Sequence, residues 1–221
     1  MSSELEEMPL FPLNAVLLPY QTLPLHVFEE RYRKMIGDCL ELDRPFGVVL
    51  IREGSEIDTD AEPYLVGTSA RVVEHKPLPD GRVDLVAVGE RRFRVRRFDR
   101  SKPYLVGYVE PIVEMEWSES NQNRGLLSRA KEAFEFHLRS IFGRQDVNIT
   151  VQFPDDPVAL SFAIAGFINM PTIAKQRLLE LTDTSARLTE LIPVLEAQFL
   201  EHAVSGDPSV AEEFSEFISR N

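Results

Sequence analysis

The sequence predicts an α+β protein in which a small β-barrel with one interposed helix precedes an α-helical bundle. Two observations indicate this fold class. Up to Trp117, short apolar runs and apolar–polar alternation are typical of strands, and a single helical segment interrupts them. After Trp117, apolar residues recur every three or four positions, as in amphipathic helices. We therefore expect a barrel subdomain over residues 1–117 and a helical subdomain over residues 118–221.

The segment 8–35 changes from strand spacing to helix spacing within a few residues. The apolar runs 10–13 and 23–27 are bounded by prolines and predict two short strands. Helical spacing then predicts a helix over 28–42, ending before Pro45. Residues 1–8 are expected to be a disordered lead-in. The residues that join these strands to the helix are interpreted as scaffold: Pro12, Pro24, Phe28 and Tyr32.

The remaining barrel strands are expected over 46–51, over 65–75, in two runs between Arg82 and Arg96, and over 104–110. Pro79-Asp80-Gly81 predicts a hairpin turn, because glycine supplies a positive φ there. Gly89 interrupts the alternation and predicts a bulge or a barrel corner. Short turns between several strands favour a closed or nearly closed barrel.

Four helices are predicted after Trp117 from apolar spacing and capping residues. They are a helix through residues 127–141 ending at Gly143, one beginning at Asp156-Pro157, one beginning at Thr172, and one beginning near Asp183 with a kink at Pro193. A short amphipathic pattern follows at Val210, Phe214, Phe217 and Ile218.

Composition excludes several classes of function. The 221 residues carry a net charge of −12, which opposes binding to nucleic acid or to an anionic membrane. Cys39 is the one cysteine, so neither an internal disulfide nor a cysteine zinc site is expected. The N-terminus lacks the pattern of a signal peptide, and the apolar run near 157–171 is too short to span a membrane. We expect a cytoplasmic protein without a cofactor.

Motifs for catalysis or metal binding are missing from the sequence. It contains no phosphate-binding loop, no G-x-S-x-G and no G-x-G-x-x-G. The four histidines, His26, His75, His137 and His202, have no metal-ligand spacing. His26 is interpreted as a satisfied, half-buried histidine, and Cys39 as a buried, inert thiol. An enzyme with an unrecognised site remains a third class of function.

Two groups of residues in the 8–35 segment are candidates for contact with a partner. The loop 15–20 is either core or an exposed apolar patch formed by Leu17, Leu18 and Tyr20. Glu29 and Arg31 either stabilise the first helix through its dipole and an ion pair, or line a binding surface.

Residues 91–100 contain six arginines and two phenylalanines. Arg92, Arg94 and Arg96 share one strand face, while Phe93 and Val95 point into the core. This face is either solvated and paired with acids, which the acidic composition favours, or a site for RNA.

The 8–35 segment also resembles the Lon N-terminal domain family, the substrate-recognition part of ATP-dependent Lon proteases. The most specific match is PLFPLNAVLLPYQTLPLHVFEERYRKMI, at residues 9–36. Weaker matches occur at Pro45-Phe46-Gly47-Val48, Gly67-Thr68-Ser69-Ala70, Gly89-Glu90-Arg91-Arg92-Phe93, Asp156-Pro157 and residues 178–183. The resemblance implies a PUA-like barrel followed by a helical bundle. The position of Tyr20 is more often glycine in that family.

The resemblance implies a stand-alone, non-catalytic module that binds proteins or peptides, since the ATPase and Ser-Lys peptidase domains of Lon are not found in the sequence. Binding is expected in a cleft between barrel and bundle or at the loop 15–20. The expected partner is a polypeptide client, with a separate protease system as a further partner. The alternative is a PUA-like module for RNA or a small ligand. The client and the oligomeric state do not follow from the sequence.

Overall fold

The described part of the chain forms six β-strands and five α-helices in a computed structural model. The structure describes residues 5–56, 58, 61–142 and 153–203. The elements are β1 (Glu6–Leu13), β2 (Thr22–Val27), α1 (Glu30–Glu41), β3 (Phe46–Glu53), β4 (Glu62–Pro77), β5 (Val83–Asp99), β6 (Val106–Pro111), α2 (Asn121–Phe142), α3 (Pro157–Phe167), α4 (Thr172–Glu180) and α5 (Thr184–Ala203). The predicted helix end at Gly143 and the pattern from Val210 to Ile218 lie outside the described residues. None of the described helices could cross a lipid bilayer.

Five of the strands close into a barrel. The strand order is β2-β5-β4-β3-β1-β6, and β6 also pairs with β5. The β1–β3 pair is parallel, and all the other pairs are antiparallel. The predicted closed barrel is confirmed. Strand β2 pairs with the first part of β5 only, so it is an edge strand within the described chain.

Strand β1 and helix α1 pack their apolar faces into one core. The rings of Phe11 and Tyr32 stack with their centroids 4.1 Å apart, and Met35 and Ile36 are buried beside them. Strand β1 begins at Glu6, earlier than predicted, because its first residues pair with β6. The expected disordered lead-in is therefore wrong for Glu6 to Met8.

Strands β4 and β5 form a long, bent hairpin. At its turn, Gly81 has φ +82° and its N–H donates to the carbonyl of Leu78, as the predicted turn requires. Further along, Thr68 pairs with Arg92 while Ala70 pairs with Gly89, so β5 carries one extra residue. The predicted bulge near Gly89 is confirmed, although β5 continues through it as one strand.

The described residues form two compact units, and α4 belongs to the unit that contains the barrel. The first unit extends to Val113 and includes Met170–Glu180, and the second comprises Glu114–Asn169 and the residues from Leu181 onward. The amide of Gln176 in α4 donates to the carbonyl of Val66 in β4 at 3.1 Å. The predicted division at residue 117 instead placed α4 with the other helices.

The second unit contains α2, α3 and α5. The predicted cap of α3 is confirmed, since Asp156 accepts a hydrogen bond from the N–H of Ala159 at 2.9 Å. Asp183 accepts bonds from the N–H groups at the start of α5, and Pro193 lies inside that helix. Arg187 is fully buried, and its guanidinium binds the hydroxyl of Ser161, the carbonyl of Leu181, the hydroxyl of Thr184 and the carboxylate of Glu114.

Candidate partner-binding surface

The loop between β1 and β2 folds onto the barrel. Leu17 and Leu18 are 4% and 0% exposed. The hydroxyl of Thr68 donates to the carbonyl of Leu17 at 2.6 Å and fixes the loop in place. The expected exposed patch of Leu17, Leu18 and Tyr20 is therefore not formed, because both leucine side chains are stabilised by burial in the core. The core alternative is the correct one for the two leucines.

Tyr20 lies at the tip of a tight turn that is fixed to β5. The N–H of Gln21 donates to the carbonyl of Leu18 at 3.2 Å, and Tyr20 has φ +68°. With Pro19 before Tyr20, these are features of a type II turn, whose third residue is usually glycine. The N–H of Tyr20 donates to the carbonyl of Gly89 at 2.8 Å. A Cβ atom on Gly89 would lie 2.5 Å from the carbonyl oxygen of Leu18, so this close approach needs glycine.

Glu29 and Arg31 join α1 to the loop after β3. The Nε atom of Arg31 donates to the carboxylate of Glu29 at 2.9 Å, and its Nη2 atom donates to the carbonyl of Glu56 at 2.7 Å. The guanidinium also lies 4.5 Å from the ring centroid of Tyr32. The polar atoms of this pair therefore bind groups within the barrel unit, which favours the stabilising role over a binding role.

The arginines of β5 do not form a continuous basic face. Arg92 is buried and donates to the carbonyl of Leu179, because α4 covers that side of the strand. Arg94 is partly buried opposite Glu110. Arg96 donates to Glu110 at 2.5 Å, and this bond lowers the pKa of the Glu110 carboxyl. The expectation that Arg92 could contact RNA is wrong, and the acid-paired alternative describes Arg96.

His26 and Cys39 both have structural partners. The Nδ1 atom of His26 lies 2.6 Å from a carboxylate oxygen of Asp84, and its Nε2 atom lies 3.2 Å from Arg82. A guanidinium only donates, so Nε2 accepts and we assign the proton to Nδ1. Burial raises the pKa of the Cys39 thiol to about 11, as expected for an inert thiol. The described residues contain no group of three or more His, Cys, Asp or Glu side chains that could hold a metal ion.

Sequence reasoning missed an exposed surface along β2. Side chains of a strand alternate between its faces, and Thr22, Pro24 and His26 are the exposed set. Phe28 follows the strand, is 59% exposed and stacks on His26 with ring centroids 6.3 Å apart. The scaffold interpretation is therefore wrong for Phe28, because α1 begins only at Glu30. The proline in the middle of the run was the signal for an edge strand.

We call the exposed row of Tyr20, Thr22, Pro24, His26 and Phe28 the β2 stripe. Tyr20 and Phe28 lie at its two ends, and the extended backbone of β2 between them, from Thr22 to Val27, spans roughly 17 Å. A groove of about 490 Å³ opens beside it and is lined by residues 24–26, 74–76 and 84–86. Mostly apolar atoms line this groove, and its lining also includes the His26–Asp84 pair, Glu74 and Lys76.

A closed barrel, an exposed edge strand and a set of helices together define an α+β domain of the PUA-like barrel class. A family model described as the ATP-dependent protease La (LON) substrate-binding domain matches residues 7–197. The chain belongs to this family, and the resemblance predicted from residues 9–36 is confirmed.

Similar proteins and solved structures agree with this assignment. Lon proteases of Desulfovibrio desulfuricans and Geobacter metallireducens are 30% and 31% identical over 85% and 83% of this chain. The chain spans 22% and 23% of the length of these two relatives. The crystal structure of a Lon N-terminal domain protein from Xanthomonas campestris has a TM-score of 0.65 and 30% identity, covering 85% of this chain and 98% of that one. The N-terminal domain of Mycobacterium avium complex Lon protease shares the fold, with a TM-score of 0.63, 18% identity and coverage of 86% and 98%.

Proposed function

We propose that this chain is a non-catalytic module that binds polypeptide clients. The observation that carries the proposal is the match of residues 7–197 to a domain described as substrate-binding in an ATP-dependent protease. In the proposal, the chain performs no ATP hydrolysis or peptide cleavage of its own and needs no cofactor. It binds clients in the cytoplasm and passes them to a separate protease system.

Tyr20 and Phe28 support this proposal as contact residues. Each side chain is 59% exposed, although large aromatic rings are usually more stable when buried. Tyr20 also has a backbone conformation that glycine would adopt without strain. Strained residues that persist at a surface often serve a function, and exposed aromatic rings are common anchors in protein interfaces.

The proposal is tested by measuring binding to a reduced, carboxymethylated protein that stays unfolded, labelled for fluorescence anisotropy. We expect saturable binding of the unfolded form and weaker binding of the same protein when it is native. The double variant Tyr20→Ala with Phe28→Ala should lose at least fivefold in affinity. Leu42→Ala is the control, because Leu42 is 62% exposed but lies at the end of α1.

If no binding is seen at concentrations up to roughly 1 mM, the proposed function is contradicted. A dissociation constant of that size corresponds to a binding free energy of only about −4 kcal/mol. If the double variant binds as tightly as the wild type, the chain still binds clients, but Tyr20 and Phe28 are not the contact residues. Cleavage of the unfolded protein by the purified chain would contradict the non-catalytic part of the proposal.

A further inference from the structure

The outer edge of β2 has backbone groups that no described strand pairs with. The N–H of Gly89 donates to the carbonyl of Gln21, so the carbonyl of Gln21 faces β5. The same antiparallel register continues from Thr22 opposite Val88 to Val27 opposite Val83. In such a ladder, alternate residues bond to the neighbouring strand. The odd-numbered residues of β2 therefore bond to β5, and the even-numbered ones face outward.

The outward-facing groups belong to Thr22, Pro24 and His26, whose side chains form the middle of the β2 stripe. Thr22 and His26 each present an N–H and a carbonyl, whereas Pro24 presents a carbonyl alone. A free edge of this kind is a template for one more strand. Side chains of directly opposite residues in a ladder point to the same face of the sheet, as those of Pro24 and Val86 do. In an added strand, the residues opposite Thr22, Pro24 and His26 would therefore place their side chains on that face.

We propose that an extended segment of a polypeptide client adds to β2 as a further antiparallel strand. This inference rests on the proposed function and specifies how the client is held. The alternate side chains of the segment that share a face with Pro24 point to the side of the sheet that carries the groove of about 490 Å³, and they lie next to the β2 wall of that groove. That volume lies within the range of natural binding pockets, and its mostly apolar lining suits aliphatic side chains. The N–H groups of those same residues point to β2.

Charge favours a basic client segment over a second copy of the chain. The whole chain carries a net charge of −12, and the groove lining has two acidic side chains, Glu74 and Asp84, and one lysine, Lys76. Two copies joined edge to edge would bring two strongly acidic molecules together. They would also align strands that each lack one donor at Pro24. Lysine or arginine beside aliphatic residues is the complementary pattern.

The test uses a fluorescein-labelled peptide of ten residues in which valine and lysine alternate, together with two N-methylated forms. One form is methylated on the valine amides and the other on the lysine amides, so each loses the donors of one edge. Strand addition with the valines on the groove side of the sheet predicts at least tenfold weaker binding for the valine-methylated peptide. The lysine-methylated peptide should stay within threefold of the unmodified one.

Two variants of the protein, one at the edge of β2 and one away from it, test the same backbone contacts. Thr22→Pro removes an outward-facing N–H and should weaken binding about fivefold, while Leu42→Ala, at the end of α1, should leave binding unchanged. If Thr22→Pro fails to fold, the two methylated peptides alone decide. Equal binding by both methylated peptides would overturn strand addition. If the wild-type chain binds the carboxymethylated, unfolded protein but not the unmodified valine–lysine peptide, strand addition is also overturned. If it binds neither of them, the proposed function is removed as well.

Discussion

Tyr20 combines an unfavourable backbone conformation with an exposed ring. Its φ of +68° places it in the left-handed region, which costs about 1 kcal/mol for a residue with a Cβ atom. Its side chain is 59% exposed, so burial offsets little of this cost. The turn forms nevertheless, because the carbonyl of Gly89 in β5 accepts from the N–H of Tyr20 and the N–H of Gly89 donates to the carbonyl of Gln21. The fold therefore imposes the conformation, and the residue type makes it costly.

Tyr20→Gly should raise the free energy of unfolding by about 0.5–1 kcal/mol, because glycine adopts a positive φ without strain. Tyr20→Ala also removes the ring but keeps the strain, so its stability should stay within about 0.5 kcal/mol of the wild type. Urea denaturation of the three proteins measures both effects. Equal stability of the glycine and alanine variants would show that backbone strain at this position is negligible.

A side-chain hydrogen bond links helix α1 to the segment before β6. The hydroxyl of Tyr104 donates to the carboxylate of Asp38 at 2.8 Å. This bond, aided by Lys34, lowers the pKa of the Asp38 carboxyl. Burial, together with the same bond, raises the pKa of Tyr104 to about 12. The two shifts have opposite signs because the bond requires an ionised acid and a neutral phenol.

These shifts predict a pH dependence that Tyr104→Phe removes. The bond should contribute about 1 kcal/mol near neutral pH. The contribution of Asp38 exists above its unfolded pKa, near 4, and is lost as the pH falls below it. The contribution of Tyr104 exists below its unfolded pKa, near 10, and is lost as the pH rises towards 12.

Urea denaturation of the wild type and Tyr104→Phe at about pH 3, 7 and 11 measures this dependence, and the difference between them should be largest at pH 7. Tyr108→Phe is the matched control, since the Tyr108 ring packs under Arg97 at 3.8 Å. A constant difference between the wild type and Tyr104→Phe at all three pH values would contradict the assignment.

Arg187 stabilises the start of α5 through buried polar contacts, and its removal should be costly. Arg187→Met leaves acceptors on Ser161 and Leu181 without their donor, so we expect a loss of roughly 2–4 kcal/mol in the free energy of unfolding. Arg129→Met, which breaks the partly exposed Arg129–Glu196 pair, should cost less than about 1 kcal/mol. Thermal and urea denaturation compare the two. Similar losses for both variants would mean that the buried contacts of Arg187 add nothing.

At the scale of the whole molecule, the closed barrel leaves β2 as an edge that the chain must protect. An unprotected edge strand promotes association of identical chains. The net charge of −12 opposes such association, and Pro24 removes the central donor of the edge. Neither feature opposes the proposed addition of a basic polypeptide segment to this edge. Protection against self-association and binding of the proposed partner are thus compatible.

Pro24→Val should increase self-association, because it completes a row of outward-facing N–H groups from Thr22 to His26. Sedimentation velocity over a range of protein concentrations should show a larger associated fraction than in the wild type, most clearly at high salt, where charge repulsion is screened. Thr22→Val raises strand propensity without adding a donor and is the control. Identical sedimentation of all three proteins would show that Pro24 does not protect the edge.

Much of the fold was predictable because its signals are local. The change of period near Phe28, the Pro79-Asp80-Gly81 turn and the bulge at Gly89 each depend on a few neighbouring residues, and all three were confirmed. The binding surface was predicted less well. Of the three loop residues expected in an exposed patch, Tyr20 is exposed, whereas Leu17 and Leu18 are buried.

The sequence by itself determined the fold class, the order of the strands and helices, and the family. It did not determine which apolar residues remain exposed. That was decided when the loop after β1 packed against Gly89 and Thr68, residues about 50 to 70 positions away, and when α4 covered Arg92. Burial depends on contacts between distant segments, and alternation within one segment shows only that a strand has two faces. The tertiary structure therefore decided that β2 with Tyr20 and Phe28, and not Leu17 or Leu18, presents the exposed surface.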